Sequence, residues 1–254
     1  MTDSPPDLFA AWLAALEARH LADLRFAEVT RALRALSSAY VERRHKVERG
    51  ATLDSAGKRA AFALFYAPLH FLTTSLVVKA LSAEDPAPSS ILDIGCGTGA
   101  AGAAWAVEAG GRPTVTGIDR HPWAVDEARW TYRQLGLAGS ARQGDAARLP
   151  PLHSGSAALA AYVLNELPVD QRLRVEERLV TAAAAGTRVL IIEPIARGVT
   201  PWWDDTSEKL RAAGGRADEW RFRVELPPML RLFDKAAGLN HRELTARSLY
   251  CPGG

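Results

Sequence analysis

Ten residues constrain this chain more than any others: Ile91-Leu-Asp-Ile-Gly-Cys-Gly-Thr-Gly-Ala100. Ile91, Leu92 and Ile94 suit a short strand buried on both faces, as in a parallel sheet. Gly95, Gly97 and Gly99 let the chain turn tightly and approach a ligand with no Cβ in the way. Ala100 to Ala109 is Ala-rich, carries Trp105 and predicts a helix, whose free N–H groups would face whatever rests on the turn. Strand, glycine turn and helix together describe a nucleotide-type cofactor site.

The turn alone does not select the nucleotide. Gly95-x-Gly97-x-x-Ala100 fits the dinucleotide fingerprint, and its bland reading is a plain strand-to-helix turn. Three acids narrow the choice. Asp93 lies just before the turn, where a polyphosphate gains nothing from a carboxylate but a cationic amino-acid group does. Thr114-Val-Thr-Gly-Ile-Asp119 is a second short strand ending in an acid. Asp119 falls where a carboxylate reaches a ribose diol in such folds. Gln143-Gly144-Asp145 places a third acid after a third strand. A short-chain dehydrogenase would also want Tyr-x-x-x-Lys. Tyr66, Tyr132 and Tyr162 instead meet His70, Gly136 and Glu166 four residues on.

With these motifs in order, residues 88–195 resemble the class I S-adenosylmethionine-dependent methyltransferases. The resemblance implies a Rossmann-like α/β fold, with a mostly parallel sheet and helices on both faces. It implies that Asp93, Gly95, Cys96, Gly97 and Gly99 hold the methionine end of S-adenosylmethionine, the product being S-adenosylhomocysteine. Asp119 would take both ribose hydroxyls and Asp145 the adenine amino group, with Ile118 and Ala146 flanking the adenine. Arg120, Gly144 and Tyr162 complete the expected cofactor set. No metal is implied.

Composition excludes several classes. A chain of 254 residues with 48% hydrophobic and 24% charged residues is ordinary for one globular domain or a domain with an appendage. A net charge of +2 gives no whole-protein basic field. Cys96 and Cys251 are too few for a disulfide framework or a cysteine-rich metal site, and Cys96 reads as a small residue that fits its turn. The N-terminus carries Asp3 and Asp7 and does not read as a signal peptide. No unbroken apolar run approaches membrane-span length, so the expected compartment is the cytoplasm and no membrane partner is expected.

Residues 1–82 read as a helical N-terminal region serving as lid, substrate platform or dimer surface, 83–90 as a linker, and 91–254 as the cofactor-binding domain. Ser4-Pro5-Pro6-Asp7 has the marks of a helix start, followed by a stripe of Leu8, Phe9, Trp12, Leu13 and Leu16. Leu24, Val29, Leu33, Leu36, Tyr40 and Val41 mark a longer helix. Pro68 is expected to open another, bearing Leu69, Leu72, Leu76 and Leu81. Strands are predicted at 91–94, 114–118, 140–143, 157–163 and 187–193, and helices at 99–109, 122–136 and 168–185. At the C-terminus, Trp220–Leu226 and Arg242–Tyr250 are strand candidates flanking a helix at 228–237. This spacing leaves the final strand of the sheet either rearranged or missing.

The acceptor should meet the methyl group beside the ends of strands four and five. Those ends read Ala161-Tyr-Val-Leu-Asn-Glu-Leu-Pro168 and Ile192-Glu-Pro-Ile-Ala-Arg-Gly198. Methyltransferases of base amino groups carry Asn/Asp-Pro-Pro-Tyr/Phe at the first of these places. Only Asn165 matches, so base methylation is not implied. Tyr162, Asn165, Glu166 and Glu193 are the candidates for acceptor orientation or a general base. Their bland readings are a helix cap for Asn165 and Glu166, and backbone amide bonding for Glu193. His70 and His121 are further candidates, each more often packed than catalytic. Trp202-Trp203 forms either an apolar wall in a loop or packing under the C-terminal helix. Arg43, Arg44, His45, Lys46 and Arg49, with Lys58 and Arg59, form the densest basic run. It reads as a phosphate contact or as a solvated face balanced by Glu42 and Glu48.

Tyr162-Val-Leu-Asn-Glu-Leu167 with Ile192-Glu-Pro194 and Arg197-Gly198 also resembles, more distantly, the methyltransferase-like proteins that assemble the mitochondrial small ribosomal subunit and their bacterial relatives. Phe65-Tyr-Ala-Pro68 fits the same picture. Members of that family that bind metal carry several C-terminal cysteines, and Cys251 alone does not support an iron–sulfur cluster. Two functions follow. One is a methyltransferase acting on RNA, on the small ribosomal subunit or on a small metabolite. The other is a non-catalytic RNA-binding or ribosome-assembly protein that keeps the cofactor as a structural ligand.

Overall fold

The computed structural model describes residues 8–42, 53–196, 198 and 200–253. The predicted helix start at Ser4–Asp7 and the basic run Arg43–Arg49 lie outside the described residues. The chain divides into two compact units: residues 1–69 with 224–242, and residues 70–223 with 243–254. The units therefore do not divide at residues 82 and 91 as the sequence suggested, and a C-terminal segment joins the N-terminal helices.

The first unit is helical. Helix α1 (Leu8–His20) buries Trp12 and Leu16, while Leu8 at its start is exposed. Helix α2 (Phe26–Glu42) begins where the Glu28 carboxylate accepts the backbone N–H of Arg25 at 2.8 Å, half of a capping box. Its buried side is Val29, Leu33 and Leu36. Helix α3 (Ala56–Ala61) is capped by Ser55. It runs through a π-turn at Phe62–Tyr66 into helix α4 (Ala67–Leu81), which from His70 onward belongs to the second unit. Pro68 therefore does not open a helix; it lies inside one. Proline has no N–H to give the carbonyl four residues back, and its ring crowds that carbonyl. The wider turn, closed by the Ala67 N–H to the Phe62 carbonyl, accommodates it. Ala56–Leu81 is long and apolar enough to cross a membrane, but 72% of its most apolar window is buried inside the protein, as in a core helix. The C-terminal segment supplies helix α9 (Pro228–Ala236). Its Phe233 stacks on Phe26 at 4.7 Å, and Arg34 donates to the Ala236 carbonyl at 2.8 Å, a cation placed at the negative end of the helix.

The second unit is a seven-stranded sheet ordered β3-β2-β1-β4-β5-β7-β6. Its strands are β1 (Ser90–Ile94), β2 (Thr114–Asp119), β3 (Gly139–Gln143), β4 (Ala157–Ala161), β5 (Arg188–Glu193), β6 (Arg216–Arg223) and β7 (Glu243–Cys251). The first five pair in parallel. Strand β7 runs antiparallel to both β5 and β6. The final strand is thus neither missing nor rearranged. Strand β6 begins at Arg216, four residues before the expected alternation, because Arg216-Ala-Asp-Glu219 lies on an edge strand whose side chains reach water. The central strands are apolar throughout, with Ala157–Ala160 and Val189–Ile192 buried, since helices must cover both faces of a parallel sheet. Helices α5 (Ala100–Glu108), α6 (Pro122–Gln134) and α7 (Val169–Ala184) follow β1, β2 and β4, so parallel strands are joined by crossovers. Trp105 is fully buried and donates its indole N–H to the Ala83 carbonyl at 3.0 Å.

Helix α8 (Trp203–Ala212) was not predicted. Trp202 and Trp203 are buried in the cluster with Val175, Leu210 and Leu249, and the Arg247 guanidinium lies 4.2 Å from the Trp203 ring. They are core, not an apolar wall in a loop.

Candidate functional site

Strand β1 delivers Asp93 to the turn. Its side chain is 1% exposed, and one carboxylate oxygen accepts the Gly102 N–H at 3.0 Å. A Cβ on Gly102 would fall 2.6 Å from that oxygen, so glycine at 102 lets α5 approach the acid. Burial pushes the Asp93 carboxyl up to about 7, the Gly102 bond opposes this, and the nearby Asp119 adds to it. A buried acid with one N–H partner is poised to accept a cation.

The turn is built as its glycines imply. Gly95, Gly97 and Gly99 have φ of 64°, 53° and 76°, left-handed values that side chains rarely adopt. Gly95 is also a close approach: a Cβ there would meet Val163 Cγ2 at 2.2 Å. The Asp119 carboxylate ties the turn to β2, accepting the Gly97 N–H at 2.9 Å and the His121 N–H at 2.8 Å. Cys96 donates its backbone N–H to the Ile118 carbonyl at 3.0 Å. Its buried sulfur would sit 2.7 Å from a Cβ on Gly117, so a larger residue would not fit. The Cys96 thiol is held well above its ordinary value by burial, with Asp93 and Asp119 adding to it, and it stays protonated.

Tyr132 was missed by sequence reasoning. It is fully buried, and Cβ atoms built on Gly99, Gly117 and Gly139 would each come within 3 Å of it. One aromatic side chain on α6 thus explains three glycines on three segments. Glycines spaced around an aromatic in the next helix were the available signal.

The third acid is placed as expected in order along the sheet. Gly144 donates its N–H to the Asp119 carbonyl at 2.9 Å, and Asp145 is exposed and accepts the Ala147 N–H at 2.9 Å. Ala146 is half-buried against the sheet core. Arg120 is exposed, and its carbonyl accepts the Gln143 amide at 2.9 Å. The structure therefore brings Asp93, the glycine turn, Asp119 and the start of the 144–146 loop together at the carboxyl ends of β1, β2 and β3.

At the neighbouring ends of β4 and β5, Glu193 is 0% exposed. One of its oxygens accepts the N–H of Leu164 at 2.9 Å and of Asn165 at 3.2 Å; the other accepts the Asn165 side-chain amide at 2.6 Å. Burial pushes the Glu193 carboxyl up to about 8, against the opposing Asn165 bonds and with Glu166 adding to the rise. Of the two sequence readings for Glu193, the structure realises amide bonding. Asn165 pairs with Glu193 rather than capping a helix: α7 is preceded by Pro168 with no side-chain cap. Glu166 is exposed. Tyr162 ends β4 two residues before the predicted limit, because its φ is +58°. Its ring stacks on His70 at 4.2 Å and 14°, and its hydroxyl shares a hydrogen bond with Thr73. Burial brings His70 down to about 4, leaving it neutral at pH 7. His121 precedes α6 and meets Trp123 edge-on at 6.2 Å. Lys58 pairs with Asp54 at 3.0 Å and Arg59 donates to the Leu53 carbonyl at 2.9 Å. Among the described residues no group of three or more His, Cys, Asp or Glu could hold a metal ion.

A family model described as a methyltransferase domain matches residues 91–186. The chain is 31% identical over 148 residues to the ribosomal RNA small subunit methyltransferase C of Chromohalobacter salexigens, covering 55% of this chain and 41% of that protein. It thus spans about two fifths of the length of the curated relative it matches. Its fold is similar to that of a mitomycin 7-O-methyltransferase (TM-score 0.52, 18% identity, 96% of this chain and 72% of that one). It is also similar to the magnesium protoporphyrin IX methyltransferase of Synechocystis solved with S-adenosylhomocysteine (TM-score 0.50, 16% identity, 87% and 96%). The strand order and the glycine turn between two acids agree with the matched segment: residues 91–186 carry a methyltransferase domain.

Proposed function

We propose that the protein transfers a methyl group from S-adenosylmethionine, and that RNA is the acceptor class. The observation that carries the first part is Asp93, an acid buried at the glycine turn with one N–H partner, where the ammonium of the cofactor's amino-acid end supplies the missing charge. The RNA reading rests on the ribosomal RNA methyltransferase relative.

The residues fit the group. Asp93 and the N–H groups of the turn would hold the amino-acid end. Asp119 keeps lone pairs for the ribose hydroxyls beyond its two backbone bonds. Asp145 is free of burial and would reach the adenine amino group. When bound, the sulfonium supplies a methyl group already activated for attack. The protein's task is then alignment and exclusion of water. Tyr162 and Asn165 would form the acceptor edge. Glu193, buried and enclosed by three N–H donors, positions that edge.

The test incubates purified protein and methyl-labelled cofactor with extract from a strain lacking this gene, then separates RNA, protein and small molecules. Label in the RNA fraction supports the proposal. Label in small molecules redirects the acceptor to a metabolite. Saturable cofactor binding with no label anywhere turns the reading to a non-catalytic RNA-binding protein.

A further inference from the structure

Tyr162 is one of two described non-glycine residues with positive φ, the other being Ser82. A bulky residue in this region is strained unless its surroundings over-determine it. Those surroundings are identifiable. On the side-chain side, helix α4 presents His70 and, almost one turn on, Thr73; the first stacks on the Tyr162 ring at 4.2 Å and the second bonds its hydroxyl. On the backbone side, the Tyr162 N–H is held by the Ile192 carbonyl at 2.8 Å. The next residue, Val163, is the one whose side chain closes over Gly95. Two residues further, Glu193 fixes the amides of Leu164 and Asn165. The strained residue thus joins the acceptor edge to the glycine turn.

We propose that His70 is a positioning residue: its ring, stacked on Tyr162, holds the left-handed backbone that seats Val163 on Gly95 and so shapes the cofactor turn. This rests on the cofactor assignment above and assigns His70 no proton transfer. A neutral imidazole suits the role, because a flat uncharged ring stacks without burying a charge.

The test measures the dissociation constant of S-adenosylhomocysteine by calorimetry. Wild-type binding is the check on the cofactor assignment; with no wild-type binding, that assignment fails and not the role of His70. Given wild-type binding, His70→Ala weakens it about tenfold, as expected when a residue with a strained backbone is released. His70→Phe keeps a flat ring and stays within about twofold of wild type. Wild-type affinity in His70→Ala overturns the proposal. So does a loss in His70→Phe equal to that in His70→Ala, which would assign the work to the imidazole nitrogens. If His70→Ala does not fold, His70→Phe is read against wild type: affinity within about twofold supports the stacking role, and a loss of about tenfold or more overturns it.

Discussion

Cofactor affinity should depend on pH through Asp93. Its carboxyl is pushed up to about 7 by burial, so in the free protein it is mostly protonated below that pH. The ammonium of the cofactor binds the ionised form. The sign follows: as pH falls through 7 an increasing share of the protein must release a proton before binding, and affinity falls. The weakening factor is one plus ten to the power of the pKa minus the pH, about twofold at pH 7 and about tenfold at pH 6. Between pH 7.5 and 5.5 the dissociation constant of S-adenosylhomocysteine should rise by about 25-fold. Calorimetry in buffers of different ionisation enthalpy should report about 0.9 proton released per binding event at pH 6. Methylthioadenosine, which lacks the amino-acid end, should bind with a flat profile over the same range, and Asp93→Asn should flatten the profile of S-adenosylhomocysteine. Equal slopes for the two ligands, or a flat wild-type profile, would refute the pairing of Asp93 with the ammonium.

Gly95→Ala combines a left-handed backbone with a 2.2 Å approach to Val163. It should cost about 2–5 kcal/mol in urea unfolding, and Gly95→Ala/Val163→Ala should recover the packing part but not the backbone part. Asp119→Ala removes the acceptor for the Gly97 and His121 amides; cofactor affinity should fall at least 100-fold, with Asp119→Asn intermediate, read by calorimetry. Glu193→Ala should destabilise by about 2–4 kcal/mol by leaving the Leu164 and Asn165 amides unpaired. Glu193→Gln should gain on wild type by more than about 1 kcal/mol between pH 5 and 8, because a carboxyl pushed up to about 8 loses stability for the fold as pH rises through that window; parallel curves would count against a protonated Glu193. Trp105→Ala, which empties a fully buried site, should cost about 3–5 kcal/mol by thermal unfolding.

The sequence by itself determined the layout at the carboxyl ends of β1, β2 and β3. Ile91 to Ala100, Asp119 and Asp145 are local signals: glycines, acids and short apolar runs whose spacing follows from strand and helix geometry, and they appear in the structure in the expected order. The layout at the ends of β4 and β5 depended on tertiary structure. Tyr162 looked like one more strand residue, and its left-handed backbone shows only in the fold, where His70, 92 positions earlier in the chain, stacks on its ring and the Ile192 carbonyl accepts its N–H. Glu193 read as a base or a partner of backbone amides and Asn165 as an acceptor contact or a helix cap; the fold makes them partners of each other. Tyr132 gave no signal alone, because three glycines need it only once three strands and a helix have met. Pro68 read as a helix start by propensity, yet packing carries a helix through it with one widened turn. The polar start of β6 hid its first four residues, because edge pairing with β7 satisfies their backbone without an apolar pattern. Residues whose role is set by neighbours in sequence could be read directly; those whose role is set by burial and long-range contact became visible only in the fold, because desolvation and steric closeness are properties of a place and not of a residue type.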